Sequence, residues 1–370
     1  MNVICDIIFI QQGGIDMVKD LCFEIIEKCL NNCKFCSSNS NCNKTQIIRF
    51  EDFKRVIDYF ITTGGIEELS LSGGEPFLHP DIIKMVEYAK SRNIRVVIFT
   101  SGVVNGQELN EEHKNAIISE MNDRLNEIEQ NEPENEFLKA KVRNYYNQLL
   151  EKKNYCSIDR RLLHKLKTTG LDKIVFDMQA YESETDNYIM GRNEQARQSL
   201  LKSLIDTSFE ELDIDIHFVP MKPNYKEIID ILELLEIAEL GQISLLNFLP
   251  QGRGRINLND LMMTFEEKQE FFKLLEEGRK KFSGNIRIGI PLQGDDAHKC
   301  NAGLEKLDIK FNGDVLPCPA FKEITPEECE KFGIKIPNIY RNLEDVSIPG
   351  NGKRVKQLCK QVYSARTKIN

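Results

Sequence analysis

The chain has 370 residues, 41% hydrophobic and 29% charged, a length that suits two domains or one large α/β domain with an appendage and a composition that excludes a disordered or fibrous protein. Its 49 basic and 58 acidic residues leave a net charge of -9, which argues against bulk nucleic acid as a partner. No stretch approaches the ~20 consecutive apolar residues of a membrane span, and the N-terminus lacks the basic start and small-residue cleavage site of a signal peptide, so no membrane contact and a cytoplasmic location are expected.

Short apolar runs alternate with helix-period segments as far as residue 251. The spacing predicts strands at 21–27, 69–72, 96–100, 174–178, 214–219 and 243–248, with helices at 50–63, 80–92, 161–168, 195–205 and 225–239 between them. Six such repeats imply a parallel sheet, because parallel neighbours need crossover helices, which cover both faces or curl the sheet into a barrel. Functional loops then gather at the carboxyl ends of the strands. Segment 105–155 breaks the rhythm. Its Ile117, Met121, Leu125 and Ile128, and after Pro133 its Phe137, Leu138, Val142, Tyr145 and Leu149, predict two helices joined near 131–135 and packed as a hairpin on the outer face. A solvated structural insertion and a substrate lid both fit this segment. Beyond residue 251 come one more helix, at 265–281, and then a Gly-, Pro- and Cys-rich region, 286–370, that lacks a convincing core of its own and calls for a metal staple.

Eleven cysteines are many for a reducing compartment, where thiols serve metals or chemistry more often than disulfides. Directly after the first strand, Cys29, Cys33 and Cys36 place three thiols on one loop. Such a set suits an iron-sulfur cube or a zinc ion, and a cube held by three cysteines keeps one iron open to a ligand. Zinc with a fourth ligand such as Cys42 is the competing possibility. At the end of the second strand stand Gly73, Gly74, Glu75 and Pro76, where the glycines admit a ligand close to the backbone and Glu75 offers an acceptor to a cationic amino group.

The C-x3-C-x2-C spacing with the aromatic Phe35 before its last cysteine, followed one βα unit later by Gly-Gly-Glu-Pro, resembles the signature of the radical S-adenosylmethionine (radical SAM) superfamily. The resemblance implies an α/β fold, a partial (β/α)6 barrel, and a [4Fe-4S] cluster with an open iron site on Cys29, Cys33 and Cys36. It implies S-adenosylmethionine bound near Phe35, Gly73, Gly74, Glu75 and Pro76. It also implies cofactor contacts for Ser101, in a Thr-Ser-Gly sequence where many relatives carry Thr-Asn-Gly, and for Asp177 and Gln179 at the end of the fourth strand; simple polar loop entry fits the last two equally. Arg253, within Pro-Gln-Gly-Arg-Gly after the sixth strand, either binds a carboxylate or caps the barrel.

In the tail, a strand at 307–311, an Asn312-Gly313-Asp314 turn and a second strand toward Cys318 bring flanking cysteines together. With Cys300 they give the form C-x12-G-x4-C, similar to the opening of SPASM and twitch auxiliary-cluster domains. That resemblance implies one auxiliary [4Fe-4S] cluster, with Cys300, Cys318 and Cys359 as preferred ligands and Cys329 as the best fourth, or an open iron in its place. The expected organisation is a barrel over 1–255 with a helical insertion at about 105–155, then a linker helix and a twitch/SPASM-like domain over 256–370. Cys5, Cys22, Cys42 and Cys156 are read as non-ligands, the first two as small strand hydrophobes. Among the histidines, His79 reads as a cap at a helix start and His217 as a strand residue, and His298 alone lies beside a candidate ligand.

The resemblance implies reductive cleavage of S-adenosylmethionine to a 5′-deoxyadenosyl radical that takes a hydrogen atom from substrate. The auxiliary cluster then accepts an electron, which favours oxidation or bond formation. A ribosomally made peptide is the first expected substrate. A small-molecule dehydrogenase or cyclase of sugar, aminocyclitol or nucleotide metabolism is the alternative, and a noncatalytic iron-sulfur or zinc scaffold is disfavoured because it gives residues 73–76 no task. The expected partners are an external electron donor of the flavodoxin or ferredoxin type and a separate leader-peptide-binding protein, since few residues precede the first strand.

Overall fold

A computed structural model describes residues 17–105, 111–150, 155–288, 302–331, 333–346 and 355–361. The chain runs β1 (Val18–Ile26), α1 (Phe50–Thr63), β2 (Ile66–Gly73), α2 (Ile82–Ser91), β3 (Arg95–Thr100), β4 (Val104–Asn105), α3 (Glu111–Asn131), α4 (Glu136–Leu150), β5 (Tyr155–Cys156), α5 (Arg160–Thr169) and β6 (Lys173–Asp177). It continues through α6 (Ser183–Met190), α7 (Glu194–Phe209), β7 (Ile214–Phe218), α8 (Ile228–Ile237), β8 (Gln242–Leu245), the short α9 (Arg253–Ile256) and α10 (Leu258–Leu261), α11 (Phe265–Arg279) and β9 (Asn285–Ile288). The tail adds β10 (Lys306–Ile309), β11 (Val315–Leu316) and α12 (Pro326–Glu330). The main sheet has the order β11-β10-β1-β2-β3-β6-β7-β8-β9, parallel throughout except for the antiparallel β10–β11 hairpin. It is the partial barrel of an α/β protein, and among the described residues its two edge strands do not pair with each other.

Period-2 alternation along the strands separates the two faces of this sheet. Leu21, Phe23, Ile98, Phe176, Ile216 and Leu245 are fully buried and belong to the large core. The helices meet them with residues at helical spacing: Phe53, Val56, Ile57 and Phe60 of α1, Met85, Val86 and Ala89 of α2, and Ile231, Leu232 and Leu235 of α8. Each of these side chains larger than alanine contributes about 1.5–3 kcal/mol on burial. The residues between them on the strands, among them Asp20, Cys22, Glu24, Ser70, Asp215, His217, Ser244 and Asp308, form a polar inner face. Local signals agree with the boundaries. Asp159 caps the start of α5 through the Arg161 amide, Gly170 ends it in the left-handed region, and Thr264 and Glu267 form a capping box on α11.

The six expected strands and their helices form, and three differences concern what the sheet recruits beyond them. First, β9, only four residues long and without a strong apolar run, extends the sheet as a further parallel strand beside β8. Second, β10 pairs in parallel with β1 from Asp20↔Lys306 to Phe23↔Ile309, so the sheet takes in a strand of the tail. Third, the tail has a core, contrary to the sequence-based expectation. Leu316, Phe321, Ile324, Cys329, Ile334, Val355 and Leu358 cluster there, while Leu307, Ile309, Val315, Ile339, Leu343 and Val346 join the core of the barrel. Short elements such as β10, β11 and α12 and the turns between them gather most of these residues, too briefly for a period to mark the core.

The insertion is a helical hairpin in which α3 and α4 pack on each other, with the Tyr146 hydroxyl bonded to Glu120 at 3.0 Å. Its base is the two-stranded β4–β5 ladder, which pairs Val104 with Cys156 and Asn105 with Tyr155. Among the described residues no helix is long and apolar enough to cross a membrane.

Because Ile309 is fully buried where the tail strand joins the barrel core, Ile309→Ala is expected to cost about 2–5 kcal/mol. Hydrogen exchange should show lost protection in β1 and β2 as well as in the tail. Loss confined to residues after 301 would show that the tail unfolds on its own.

Candidate functional site

The site lies at the carboxyl rim of the parallel strands, and its first constraint is a close approach of backbones. Where β2 leaves the sheet, the Gly74 amide donates to the Ile26 carbonyl at 2.7 Å and the Glu75 amide to the Lys28 carbonyl at 2.8 Å. A Cβ on Gly73, whose φ is +134°, would stand 2.2 Å from the Ile26 oxygen, and one on Gly74 would stand 2.1 Å from the Lys28 oxygen. The glycines therefore serve first to press this turn against the start of the cysteine loop, before any ligand is considered.

Glu75 is fully buried. Its carboxylate accepts from the Thr100 hydroxyl at 2.7 Å, the Ser101 amide at 2.9 Å, the Ser101 hydroxyl at 2.6 Å and the Phe77 amide at 3.3 Å. Burial pushes its pKa up, and these bonds pull against that shift. Four donors use most of the acceptor capacity of a carboxylate. Glu75, expected as the acceptor for an amino group, and Ser101, expected beside the cofactor, thus spend their side chains on each other. Pro76 is buried and opens the short helical turn that follows.

The loop carrying Cys29, Cys33 and Cys36 is held from two sides. The Asn32 and Lys34 amides donate to the carbonyls of Met190 and Ile189 at the end of α6, and Gly191 permits that approach, since a Cβ there would lie 2.4 Å from the Asn32 oxygen. From the other side, the Arg253 amide donates to the Cys36 carbonyl at 3.0 Å, the Arg253 Nε to the Cys33 carbonyl at 2.8 Å and the Asn257 side chain to the Lys34 carbonyl at 3.2 Å. Through its amide and Nε, Arg253 holds the cysteine loop, a contact that neither of the two roles expected from the sequence includes. Phe35 and Cys33 pack against a patch formed by Ile189, Met190, Val219, Phe248 and Leu258.

Burial pushes the Cys29 and Cys33 thiols up, Glu75 adds to the effect on Cys29, and the neighbouring cysteines raise Cys33 further. Three thiols on one loop, two of them hard to ionise unaided, are suited to a group that binds thiolates and compensates their charge, which is the donor chemistry of an iron-sulfur cluster. Cys42, the fourth ligand a zinc site would need, is exposed, with its thiol 3.7 Å from the Asn43 side-chain oxygen. Among the described residues no three His, Cys, Asp or Glu side chains form a site for a single metal ion.

Asp177 ends β6 half-buried beside this loop, pushed up to about 7 by burial and by Glu75, with Arg192 acting against the shift. Gln179 is buried and spends its amide on the backbone, accepting from the Val219 amide at 2.8 Å and donating to the His217 carbonyl at 3.2 Å. These two bonds tie the end of β6 to the end of β7. A residue that sequence reasoning missed is Arg192, whose Nε and one terminal nitrogen bind Asp186 at 2.7 and 2.8 Å while Nη1 is buried without a partner among the described residues. Its field reaches Cys33 and Asp177. No motif marks it.

His79 stands as expected at a helix start, with Nδ1 accepting from the Asp81 amide and Nε2 bonded to the Ile48 carbonyl. In the tail, Cys318, pushed up to about 12 by burial, interacts with Lys306, Asp308 and Cys359, and its sulfur accepts from the Ala320 amide at 3.5 Å. Cys329 is fully buried, and Cys318 and Cys359 pack against the same small core. Cys300, His298 and Cys5 lie outside the described residues. Cys22, expected as a small strand hydrophobe, instead faces the polar interior beside Asp308.

Residues 23–152 match the Radical SAM superfamily. With the partial barrel and the cysteine loop at its rim, that match defines the class of the site: this chain carries a radical SAM region over residues 23–152. Over 309 residues it is 21% identical to the PqqA peptide cyclase of Bradyrhizobium diazoefficiens, covering 82% of this chain and 67% of that protein. A 78-residue stretch, 21% of this chain and 28% of the relative, is 31% identical to an S-adenosylmethionine-dependent nucleotide dehydratase of Selenomonas ruminantium. The fold is similar to that of Streptococcus suis SuiB bound to S-adenosylmethionine, with a TM-score of 0.58, 16% identity and coverage of 92% of this chain and 68% of SuiB. It is also similar to that of anSMEcpe with bound AdoMet, with a TM-score of 0.56, 12% identity and coverage of 95% and 84%.

A Cβ at Gly191 collides with the Asn32 carbonyl, whereas one at Gly241 meets nothing within 4 Å. Gly191→Ala is therefore expected to lower iron retained after anaerobic reconstitution several-fold, and Gly241→Ala to leave it unchanged. Equal iron in both variants would mean that the α6 contact does not shape the loop.

Proposed function

We propose that this radical SAM enzyme modifies a peptide. In this reading Cys29, Cys33 and Cys36 hold a [4Fe-4S] cluster whose open iron takes S-adenosylmethionine. The tail thiols Cys318 and Cys359, with Cys329 and Cys300, hold one auxiliary [4Fe-4S] cluster. The observation that carries the reading is the meeting, at one rim of a parallel sheet, of a thiol loop locked through its backbone, the 73–76 turn and the half-buried Asp177.

When bound, the cluster and S-adenosylmethionine supply a 5′-deoxyadenosyl radical by one-electron reductive cleavage. The contribution of this chain is positioning and electrostatics. Thr100 and Ser101 hold the Glu75 carboxylate, so the turn beside the cofactor keeps its shape. Asp177 offers an acceptor to the amino or hydroxyl donors of the cofactor. Arg192, buried and already anchored to Asp186, offsets the negative charge of the thiolates and of Asp177. The apolar patch under Phe35 excludes water from one side of the loop.

A peptide substrate is supported by the likeness to PqqA peptide cyclase over most of the chain. SuiB, a neighbour in fold, has been captured with its precursor peptide SuiA. The local identity with the nucleotide dehydratase favours the second reading, a small-molecule substrate, over a much shorter stretch. An external flavodoxin- or ferredoxin-type electron donor, a separate leader-binding protein and a cytoplasmic location complete the proposal.

Anaerobically reconstituted and reduced protein should convert S-adenosylmethionine to 5′-deoxyadenosine, and Cys33→Ala should lose this activity. A preparation that takes up only zinc would end the radical reading. With a peptide encoded beside the gene, Cys318→Ala should still form 5′-deoxyadenosine but no modified peptide. Turnover of a nucleotide or sugar in place of every peptide offered would overturn the peptide reading.

A further inference from the structure

We propose that residues 319–323, immediately after Cys318, form a strut that positions the cysteine loop of the barrel, with Lys322 and Glu323 as its positioning residues. The inference rests on the cluster-loop reading of Cys29, Cys33 and Cys36. It adds that the two thiol sites are joined by a short polar relay.

The near end of the strut begins at Cys318, whose carbonyl accepts from the Phe321 amide at 3.0 Å and whose sulfur accepts from the Ala320 amide at 3.5 Å. Its far end divides. The ammonium of Lys322, whose side chain is 9% exposed, donates to Glu24 Oε1 at 2.6 Å and to the Ser38 hydroxyl at 3.0 Å, and Ser38 donates to the same Glu24 oxygen at 2.6 Å. Ser38 lies two residues beyond Cys36. Glu323 accepts from the Gly252 amide at 2.7 Å, and the Gln251 side chain donates to the Pro319 carbonyl at 3.2 Å. Gly252 adjoins Arg253, which grips the Cys33 and Cys36 carbonyls, and Gly252 is itself so close to the Cys36 carbonyl that a Cβ would lie 2.4 Å from it. Lys322 and Glu323 thus reach the cysteine loop at both of its supports after Cys36.

Attachment of the tail does not require these bonds. The tail already docks through β10 on β1, through Ile339 and Leu343 in the barrel core, and through the Arg55 and Tyr59 side chains, which donate to the Ile339 and Val346 carbonyls. A buried ammonium–carboxylate pair is a poor device for stability alone, because the cost of desolvating both charges offsets most of their attraction. Its fixed geometry suits a spacer, since charge-assisted bonds are short and directional.

The test uses full-length apoprotein and reads the iodoacetamide reaction rate of each thiol by mass spectrometry, together with the melting temperature. Glu323→Ala should raise the rates at Cys33 and Cys36 by about fivefold, the population shift expected for losing one hydrogen bond. Cys329 in the tail core and the melting temperature should stay as in the wild type. Glu323→Gln keeps an acceptor for the Gly252 amide and should restore the wild-type rates. The double variant Lys322→Met/Glu24→Gln, which avoids stranding a buried carboxylate, should act like Glu323→Ala. Unchanged rates at Cys33 and Cys36 in both disruptive variants would overturn the proposal, as would a rise at every cysteine with a lowered melting temperature. Since the apoprotein is probed, failure here leaves the radical reading intact, and failure of S-adenosylmethionine cleavage by the wild type leaves the strut intact.

Discussion

The geometry of the rim hangs on the contact between two backbones where β2 leaves the sheet beside β1. Gly73 and Gly74 lie so close to the Ile26 and Lys28 carbonyls that a single methyl group would force them apart. That contact fixes where the chain turns into the cysteine loop, and it sends Glu75 beneath the loop to meet Thr100 and Ser101 at the end of β3. Three strand ends are locked together in this way before any cofactor is bound. A glycine-rich turn beside a thiol loop is easily read as ligand-binding, yet here its most demanding steric task is strand-to-strand packing.

The second organising feature is charge inside the barrel. The inner face carries Asp20 with Lys306, Glu24 with Lys322 and Asp215 with Ser244, all joined by hydrogen bonds. Beside them Asp308 receives no N–H or O–H donor on either oxygen among the described residues, and burial pushes it up to about 6. Such groups are costly to bury in an inert core. They mark the interior as a place for polar chemistry, while the opposite, helix-facing surface carries the hydrophobic energy that keeps the sheet together. The tail lends Lys306, Asp308 and Lys322 to this interior, so it belongs to the functional architecture and is more than a terminal ornament.

Much of the site could be read in the sequence because its elements are local. Cys29, Cys33 and Cys36 lie on one loop, Gly73, Gly74, Glu75 and Pro76 on one turn, and both follow strands that alternation reveals. The readings that shifted depend on partners distant in the chain. Gln179 read as a cofactor contact or a polar loop entry, and its amide bonds residues 217 and 219 at the end of the next strand. Arg253 read as a carboxylate binder or a cap of the barrel, and its Nε also bonds a carbonyl 220 residues earlier. Arg192 carried no signal because its importance comes from being buried next to Asp186 and within range of Cys33.

What the sequence determined by itself is the parallel α/β repeat, the helical hairpin at 111–150 and the identity of the thiol loop, since each follows from periodicity or from spacing within a few residues. The tertiary structure alone decided that β10 completes the sheet beside β1, that the tail has a core, and that residues 251–257 and 319–323 hold the cysteine loop from outside. The physical reason is the same in each case. Strand pairing and buried hydrogen bonds join residues far apart in the chain, and neither leaves a periodic trace in the segments it connects.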